Sequence, residues 1–138
     1  MATLKKKLTV RLHETDAAGI LFFASQFLYV HDAYEELLQL IGLPVASMLR
    51  DEPFILPIVH AEAQYFRPLH VGDEITVIVQ VGSIGKSSFV LVFDLFAADD
   101  KPVGKAKTVH VAVSKQTQNK IALPEKLQRA LKAFQSAP

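Results

Sequence analysis

The sequence predicts an α+β fold in which one long helix is wrapped by a curved antiparallel sheet of about five strands. Two observations lead to this prediction. Residues 24–41 place apolar side chains at helical spacing over more than three turns. Several later segments are rich in β-branched and aromatic residues, and short runs containing Gly, Pro or Asp separate them. A helix followed by a run of strands indicates one core, with the helix packed on the sheet.

The helix predicted over residues 24–41 is amphipathic. Gly42 followed by Pro44 supplies the expected stop, and Ser25 is the candidate N-cap, although no Glu or Gln lies three residues further on to complete a capping box. The apolar face consists of Phe27, Val30, Tyr34, Leu37, Leu38 and Ile41, and the polar face of Asp32, Glu35, Glu36 and Gln39.

The strands are predicted from alternation and from the turns between them. Residues 8–13 alternate apolar and polar side chains and predict the first strand. Short turns are expected to join the later strands as an antiparallel meander. Pro124 opens a short second helix, with Leu127, Leu131 and Phe134 at helical spacing, that should cover an edge of the sheet or lie across it. The four later strands are predicted at residues 55–66, 74–82, 88–97 and 103–114.

Length and composition limit the class of protein. The 138 residues, half of them apolar, are predicted to form a single domain, 1–138. The first seven residues are too few and too polar for a signal peptide, and no apolar run approaches the roughly 20 residues that span a bilayer. We therefore expect a soluble, cytoplasmic protein that does not contact membranes.

The residue types available for catalysis are also limited. The chain has no cysteine, which excludes thiol nucleophiles and cysteine-based zinc sites. His13, His31, His70 and His110 show no metal-ligand spacing, so a structural or surface role is expected for each. We expect no metal and no cofactor, and any catalysis must use oxygen or nitrogen groups.

Charge is unevenly distributed along the chain. Residues 101–138 carry a net charge of +7 and residues 1–100 a net charge of −6. The basic third is suited to a phosphate-bearing ligand such as a nucleotide or coenzyme A, although a solvated basic face is an equally good interpretation. Nucleic acid is not expected, because only Phe134 is aromatic in this third. The candidate phosphate contacts are Lys105 and Lys107, which alternate on the last strand, and Arg67.

Asp16 is the residue with the clearest chemical potential. It stands with Gly19 in residues 13–23, immediately before the long helix. A carboxylate near a helix N-terminus can attack or deprotonate water while exposed helix amides stabilise an oxyanion, which favours an acyl-transfer site. Turn formation is the alternative role for such an Asp. Phe22 and Phe23 are candidates for an aromatic acyl pocket or for the core.

The predicted strand at residues 88–97 indicates self-association. Residues 89–96 are apolar on both faces except at Asp94. An outer sheet face this apolar needs a cover, and a second copy of the chain is the simplest one.

Several segments together resemble a known family. Residues 10–23 (Val-Arg-Leu-His-Glu-Thr-Asp-Ala-Ala-Gly-Ile-Leu-Phe-Phe), 34–38 (Tyr-Glu-Glu-Leu-Leu) and 42–44 (Gly-Leu-Pro) resemble the hotdog-fold acyl-CoA thioesterases of the 4-hydroxybenzoyl-CoA thioesterase type. Residues 54–61 and 65–73 look most like the members that hydrolyse 1,4-dihydroxy-2-naphthoyl-CoA on the way to menaquinone or phylloquinone. The resemblance covers nearly the whole chain and implies a hotdog fold.

The resemblance also implies roles for particular residues. Asp16 would act as nucleophile or general base on the thioester, Gly19 would permit the tight turn, and the backbone N–H of Phe23 would bind the oxyanion. The site would lie between two subunits of a homodimer or of a tetramer built from two dimers. His60, in the segment Val59-His60-Ala61 of the partner, would contact the substrate.

Alternatives to this assignment stay open at the level of sequence. The acyl group could instead be 4-hydroxybenzoyl or a short chain on coenzyme A or an acyl carrier. Another branch of hotdog thioesterases takes its carboxylate from the central helix, where Glu35 and Glu36 stand. A non-catalytic module that binds acyl-CoA is a further class, and the pair His31-Asp32 keeps a hotdog dehydratase in view.

Overall fold

The computed structural model describes residues 3–135. It contains seven strands, three α-helices and one short 3₁₀ helix, Leu12–Glu14, within that range. In chain order the elements are β1 (Leu4–Thr9), α1 (Ser25–Leu40), α2 (Val45–Asp51), β2 (Phe54–Ile55), β3 (Ile58–Tyr65), β4 (Glu74–Ile84), β5 (Ser88–Ala97), β6 (Pro102–Val111), β7 (Val113–Ser114) and α3 (Glu125–Lys132).

Five of the strands form one antiparallel sheet in the order β1-β4-β5-β6-β3. Strands β4, β5 and β6 make the expected meander, but the prediction that β3 precedes β4 in the same meander is wrong. β3 instead pairs with β6 at the far edge. Residues 66–73, which connect β3 to β4, are too many for a tight hairpin turn and long enough to cross the sheet.

Helix α1 packs on the inner face of the sheet, against β4 and β1. Alternate residues of β4 from Ile75 to Val81 and of β5 from Phe89 to Leu95 point inward and are at most 1% exposed, in agreement with period-two burial. The helix contributes a buried stripe at helical spacing, and burying each large apolar side chain stabilises the fold by about 1.5–3 kcal/mol. The stripe consists of Tyr29, Val30, Ala33, Tyr34, Leu37 and Leu38.

The first strand lies earlier than residues 8–13. It ends at Thr9, which pairs with Glu74, the first residue of β4, so the sheet offers no partner beyond this point. Val10 bonds to the β3–β4 connection instead, donating to the Asp73 carbonyl and accepting from the Gly72 N–H, each over 2.9 Å. The alternation in residues 8–13 therefore continues past the end of the strand.

Two further differences from prediction occur where a predicted strand is interrupted. The segment 55–66 divides at Leu56 and Pro57, and the segment 103–114 divides at Ala112, so that β2 pairs with β7 in a separate two-stranded sheet. Pro57 cannot donate to a ladder, and only its carbonyl bonds, accepting from Val111 N–H over 3.1 Å. Helix α2 was not predicted, because seven residues are too few to establish a helical period.

The predicted end of α1 and the predicted start of α3 agree with the structure, but the predicted N-cap of α1 does not. Helix α1 stops at Leu40, before Gly42, which has φ +86°. Ser25 is the first helical residue and makes no capping bond, so the N-cap prediction is wrong. Helix α3 forms after Pro124 as expected and buries Leu127 and Leu131. No helix in residues 3–135 is long and apolar enough to cross a membrane.

Candidate active site

Asp16 sits at the start of a tight hairpin formed by residues 15–21. Thr15 pairs with Leu21, and the Asp16 N–H donates to the Ile20 carbonyl over 2.9 Å. The Gly19 N–H closes the turn by donating to the Asp16 carbonyl, also over 2.9 Å. Gly19 has φ +81°, a left-handed conformation in which a Cβ would be strained. The hairpin needs glycine there to reverse the chain beside Asp16.

The side chain of Asp16 is exposed and uses little of its hydrogen-bonding capacity. One carboxylate oxygen, Oδ1, accepts a hydrogen bond from the Ala18 N–H over 2.9 Å. None of the ion pairs found among residues 3–135 includes Asp16. A carboxylate held on one side by its own turn and free on the other can accept a proton from water or attack an electrophile.

Glu14, two residues earlier, differs from Asp16 because one of its carboxylate oxygens accepts two hydrogen bonds. Its Oε1 accepts from the Tyr29 hydroxyl over 2.6 Å and from the Arg11 N–H over 2.8 Å. Burial, followed by the hydrogen bond to Glu14, raises the pKa of Tyr29. The Glu14 carbonyl also accepts from the Phe22 N–H over 2.9 Å. Glu14 therefore ties the Asp16 hairpin to helix α1 through one carboxylate oxygen and its backbone carbonyl.

The start of helix α1 presents backbone donors close in sequence to the hairpin. The Ser25 and Phe27 N–H groups are used, donating to Phe22 and Ala24 carbonyls over 2.8 and 3.1 Å. The Phe23 N–H has no acceptor within residues 3–135. Unpaired N–H groups at a helix N-terminus, with the partial positive charge of the helix behind them, stabilise an anion. The Phe23 carbonyl accepts from the Tyr65 hydroxyl over 2.6 Å.

Gln26 is a site-supporting residue that the sequence reasoning missed. It is only 2% exposed, and its Nε2 donates to the carbonyls of Gln64 and Lys105 over 3.2 and 3.1 Å. The bonds join the first turn of α1 to β3 and β6. A signal was present, since Gln26 lies four and seven residues before Val30 and Ala33 on the apolar face of the helix. A buried polar side chain at such a position needs a partner.

Large apolar side chains are exposed near the hairpin and along β3. Phe22 and Phe23 are 43% and 63% exposed, and their ring centroids are 4.8 Å apart. Seven of the eight residues of edge strand β3 are exposed, including Val59 at 61%. Contiguous exposed apolar surface of this kind marks a ligand site or an interface. The structure thus places Phe22 at the surface beside the hairpin, where a ligand has access to it.

The predicted phosphate contacts occupy a different region. Lys105 and Lys107 lie on β6, and their Nζ atoms are 3.8 Å from Asp94 and 4.0 Å from Glu62. The same Glu62 is 3.8 Å from the Nε2 of exposed His60. Each of these groups therefore stands beside a carboxylate. A role in coenzyme A binding stays a prediction for Lys105 and Lys107, and a substrate contact stays a prediction for His60.

Arg67 is paired as well. It lies 3.4 Å from Asp99, whose pKa is lowered by the Lys101 backbone N–H and then by Arg67. Like the lysines of β6, Arg67 makes its recorded contacts with a carboxylate of this chain, and its role as a phosphate contact stays a prediction.

The helix carboxylates are also engaged. Glu35 Oε2 is 3.0 Å from His31 Nδ1, and Glu36 Oε2 is 3.0 Å from Lys6 Nζ. Both pairs lie on exposed or half-buried side chains of α1, outside the buried stripe. In this respect Glu35 and Glu36 differ from Asp16, which has no such partner.

The histidines do not form a metal site. Among residues 3–135 no group of three or more His, Asp or Glu side chains is arranged to hold a metal ion. His110 is fully buried, its Nε2 is 2.8 Å from Thr108 Oγ1, and its ring stacks on Phe89 with centroids 4.9 Å apart. Burial lowers the pKa of His110 to about 4, which keeps the imidazole neutral.

Comparison with known proteins gives a consistent result. The family model described as the thioesterase-like superfamily matches residues 10–131. A relative from Rippkaea orientalis named 1,4-dihydroxy-2-naphthoyl-CoA hydrolase is 38% identical over 131 residues, with 94% of this chain and 95% of the relative covered. A relative of the same name from Microcystis aeruginosa is 38% identical over 122 residues, with 88% of each chain covered.

The solved structures include a similar fold with the same named activity. The crystal structure of Slr0204, a 1,4-dihydroxy-2-naphthoyl-CoA thioesterase from Synechocystis, superposes with a TM-score of 0.89 at 28% sequence identity. The match covers 95% of this chain and 96% of that one. Fold and sequence therefore agree across almost the full length.

Proposed function

Because the chain belongs to the thioesterase-like superfamily, we propose that it is an acyl-CoA thioesterase that hydrolyses 1,4-dihydroxy-2-naphthoyl-CoA to 1,4-dihydroxy-2-naphthoate and coenzyme A. The named activity of the relatives supports the substrate. The observation that supports the reaction is the Asp16 carboxylate, which a hairpin holds and which is in no ion pair within residues 3–135. The hairpin precedes the start of α1, where the Phe23 N–H has no acceptor in the same range. A cytoplasmic step of menaquinone or phylloquinone biosynthesis is part of the same proposal.

The reaction needs few groups. A thioester carbonyl is electrophilic and its thiolate leaves readily, so one carboxylate and one oxyanion donor can suffice. Asp16 either removes a proton from the attacking water or attacks the carbonyl itself, and water then cleaves the resulting anhydride. In both routes the C–S bond breaks, water supplies the new carboxylate oxygen, and the thiolate leaves as coenzyme A. The Phe23 N–H stabilises the oxyanion that forms when the thioester carbonyl is attacked and that disappears when the C–S bond breaks.

We propose that two copies of the chain build the complete site. The exposed edge of β3 and the exposed apolar side chains around Phe22 support this, because a free edge of this length is a ready surface for pairing. His60 on β3 is then the group that the partner brings to the acyl chain, and the assembly is a homodimer or a homotetramer built from two dimers. Sedimentation at micromolar concentration tests this, and a monomer would contradict it.

A thiol-release assay over a panel of acyl-CoA substrates tests the function. The panel contains 1,4-dihydroxy-2-naphthoyl-CoA, 4-hydroxybenzoyl-CoA, and acetyl-, hexanoyl- and palmitoyl-CoA. We expect kcat/KM to be highest for the naphthoyl substrate. Equal or faster hydrolysis of the aliphatic substrates would overturn the substrate assignment, and no hydrolysis of any would favour a binding module instead.

A further inference from the structure

Tyr65 makes the closest recorded contact with the residue that carries the oxyanion donor. It is the last residue of β3, and its hydroxyl donates to the Phe23 carbonyl over 2.6 Å. The two residues are 42 positions apart in the sequence. Partial desolvation raises the pKa of Tyr65 above its ordinary value, and the hydroxyl is a protonated donor at neutral pH.

The Phe23 carbonyl depends on this bond because the helix does not use it. In the first turn of α1 the Phe27 N–H donates to the Ala24 carbonyl, which leaves the Phe23 carbonyl outside the helical ladder. Its recorded partner within residues 3–135 is the Tyr65 hydroxyl. Residues at the first turn of a helix fray when nothing holds them, so a side chain from the sheet restricts the backbone at Phe23.

A second bond runs in the reverse direction between the same two segments. Gln26, in the first turn of α1, donates from Nε2 to the carbonyl of Gln64, the neighbour of Tyr65. Each segment thus gives one side-chain donor and one backbone acceptor to the other. The fit is close, since a Cβ placed on Gly104 would lie 2.7 Å from Gln26 Oε1. We call the four residues Phe23, Gln26, Gln64 and Tyr65 the clasp.

We propose that Tyr65 is a positioning residue for the oxyanion donor: its hydroxyl fixes the Phe23 backbone so that the Phe23 N–H points at the developing oxyanion. This inference rests on the proposed function. The Phe23 N–H shares a planar peptide unit with the Phe22 carbonyl, which accepts from the Ser25 N–H over 2.8 Å. The Tyr65 hydroxyl holds the next peptide unit through the Phe23 carbonyl, so both planes that meet at the Phe23 Cα are held. Stabilisation of an oxyanion depends strongly on the direction and distance of the donor.

Tyr65→Phe tests the inference, because it keeps the ring and removes only the hydroxyl. Complete loss of an oxyanion donor lowers kcat about 10²–10³-fold, and a misdirected donor should lower it about 10-fold. We expect KM to change less than about twofold, since the hydroxyl makes no contact that the ground state needs. The matched control is Tyr34→Phe, a tyrosine packed on His110 with ring centroids 4.4 Å apart, which should leave kcat unchanged.

Inhibitor binding separates positioning from a general structural role. A hydrated trifluoromethyl ketone analogue of the substrate mimics the tetrahedral oxyanion, and a thioether analogue mimics only the bound substrate. Tyr65→Phe should weaken the ketone by the same factor as kcat/KM and leave the thioether unchanged. The ratio of the two affinities does not depend on the fraction of folded protein, so it remains informative if the variant is less stable.

The possible outcomes distinguish this inference from the proposed function. Unchanged kcat and an unchanged affinity ratio in Tyr65→Phe, with Asp16→Asn inactive, would overturn the positioning role and leave the proposed function intact. Equal weakening of both inhibitors would also overturn it, because Tyr65 would then act on binding. Near-native turnover of Asp16→Asn would instead defeat the proposed function itself.

Discussion

The end of the molecule that carries Asp16 and the outer surface that carries Lys105 and Lys107 differ in how their charged groups are used. Asp16 accepts one hydrogen bond, from Ala18 in its own turn, and none of the ion pairs found in residues 3–135 includes it. On β6, in contrast, each lysine has a carboxylate within 4.0 Å, Asp94 for Lys105 and Glu62 for Lys107. One region has an unused reactive group, and the other has its charges already balanced.

The difference shows that unused bonding capacity, more than charge, identifies the reactive region. The sequence makes residues 101–138 strongly basic and therefore attractive as a ligand site. In the fold, carboxylates of neighbouring strands pair with Lys105 and Lys107. Exposed pairs of this kind contribute little to binding or stability. The composition of the chain does not single out Asp16 or Phe23. Within residues 3–135, however, the Asp16 carboxylate accepts one hydrogen bond and the Phe23 N–H has no acceptor.

Removing the Asp16 charge should give the largest effect. Asp16→Asn keeps the acceptor for the Ala18 N–H and the shape of the side chain, so the hairpin should persist. We expect kcat for the naphthoyl substrate to fall about 10²–10⁴-fold, the usual contribution of a general base, with KM little changed. The steady-state rate of thiol release measures this. Glu35→Gln is the matched control, and a loss of similar size there would move the catalytic carboxylate to the helix.

Disturbing the hairpin without touching the carboxylate should give the next largest effect. Gly19→Ala meets no neighbouring atom within 4 Å, so its cost comes only from φ +81°. A left-handed conformation costs an alanine roughly 1–2 kcal/mol, which should lower the free energy of unfolding by that amount. We also expect kcat to fall about tenfold as Asp16 shifts. Urea unfolding and thiol release measure the two quantities, and native values of both would show that the turn does not depend on Gly19.

Acid should weaken the whole fold through His110. The unfolded chain protonates this imidazole below pH 6.5, whereas the folded protein does so only near pH 4. Stability should therefore fall as pH drops from about 6.5 to 4, by about 1.4 kcal/mol per pH unit at most. Nearby His31 adds repulsion.

The His110→Gln variant tests this source of acid sensitivity. Glutamine has no titrating proton and can still bond to Thr108, so the free energy of unfolding should depend less on pH between 6.5 and 4 than in the wild type. Equal slopes in urea titrations of the two proteins across this range would assign acid sensitivity to other groups.

Substitutions on the surface that carries Lys105 and Lys107, where each lysine already has a carboxylate beside it, should give the smallest effect. Lys105→Gln should raise KM for the acyl-CoA no more than about threefold and leave kcat unchanged, because exposed pairs contribute only about 0.2–1 kcal/mol. Asp94→Asn releases Lys105 and should lower KM by a similar factor if this lysine meets a phosphate. A tenfold rise in KM for Lys105→Gln would show that the basic surface is a primary coenzyme A site.

Much of the fold could be predicted because it depends on local pattern. The limits of β5 agree with the predicted residues 88–97, and α1 (Ser25–Leu40) agrees with the prediction over residues 24–41 to within one residue at each end. Strand order could not be predicted, because alternation in β3 says nothing about whether it pairs with β4 or with β6. The sequence pattern also misplaces both limits of β1, since the limits of a strand depend on the residues that its partner strand offers for pairing.

The candidate site likewise has a part that local sequence predicts and a part that only the folded arrangement shows. Asp16, Gly19 and Phe23 lie within eight residues of one another, so a sequence motif contains them. Gln26 and Tyr65 act across 38 and 42 positions, through bonds that form only once β3 lies at the edge of the sheet beside β6. Sequence alone offered no reason to connect Tyr65 with Phe23, and the pairing of Glu14 with Tyr29 likewise required the folded arrangement.

The most direct test of the central claim is a crystal structure of the protein with an unreactive ketone analogue of the naphthoyl thioester, in which a methylene replaces the sulfur. We expect the carbonyl carbon to lie about 3–3.5 Å from an Asp16 carboxylate oxygen or from a water bound to it. The carbonyl oxygen should lie about 2.7–3.1 Å from the Phe23 nitrogen. An analogue bound with its carbonyl against Glu35 or Glu36, away from Asp16, would contradict the account.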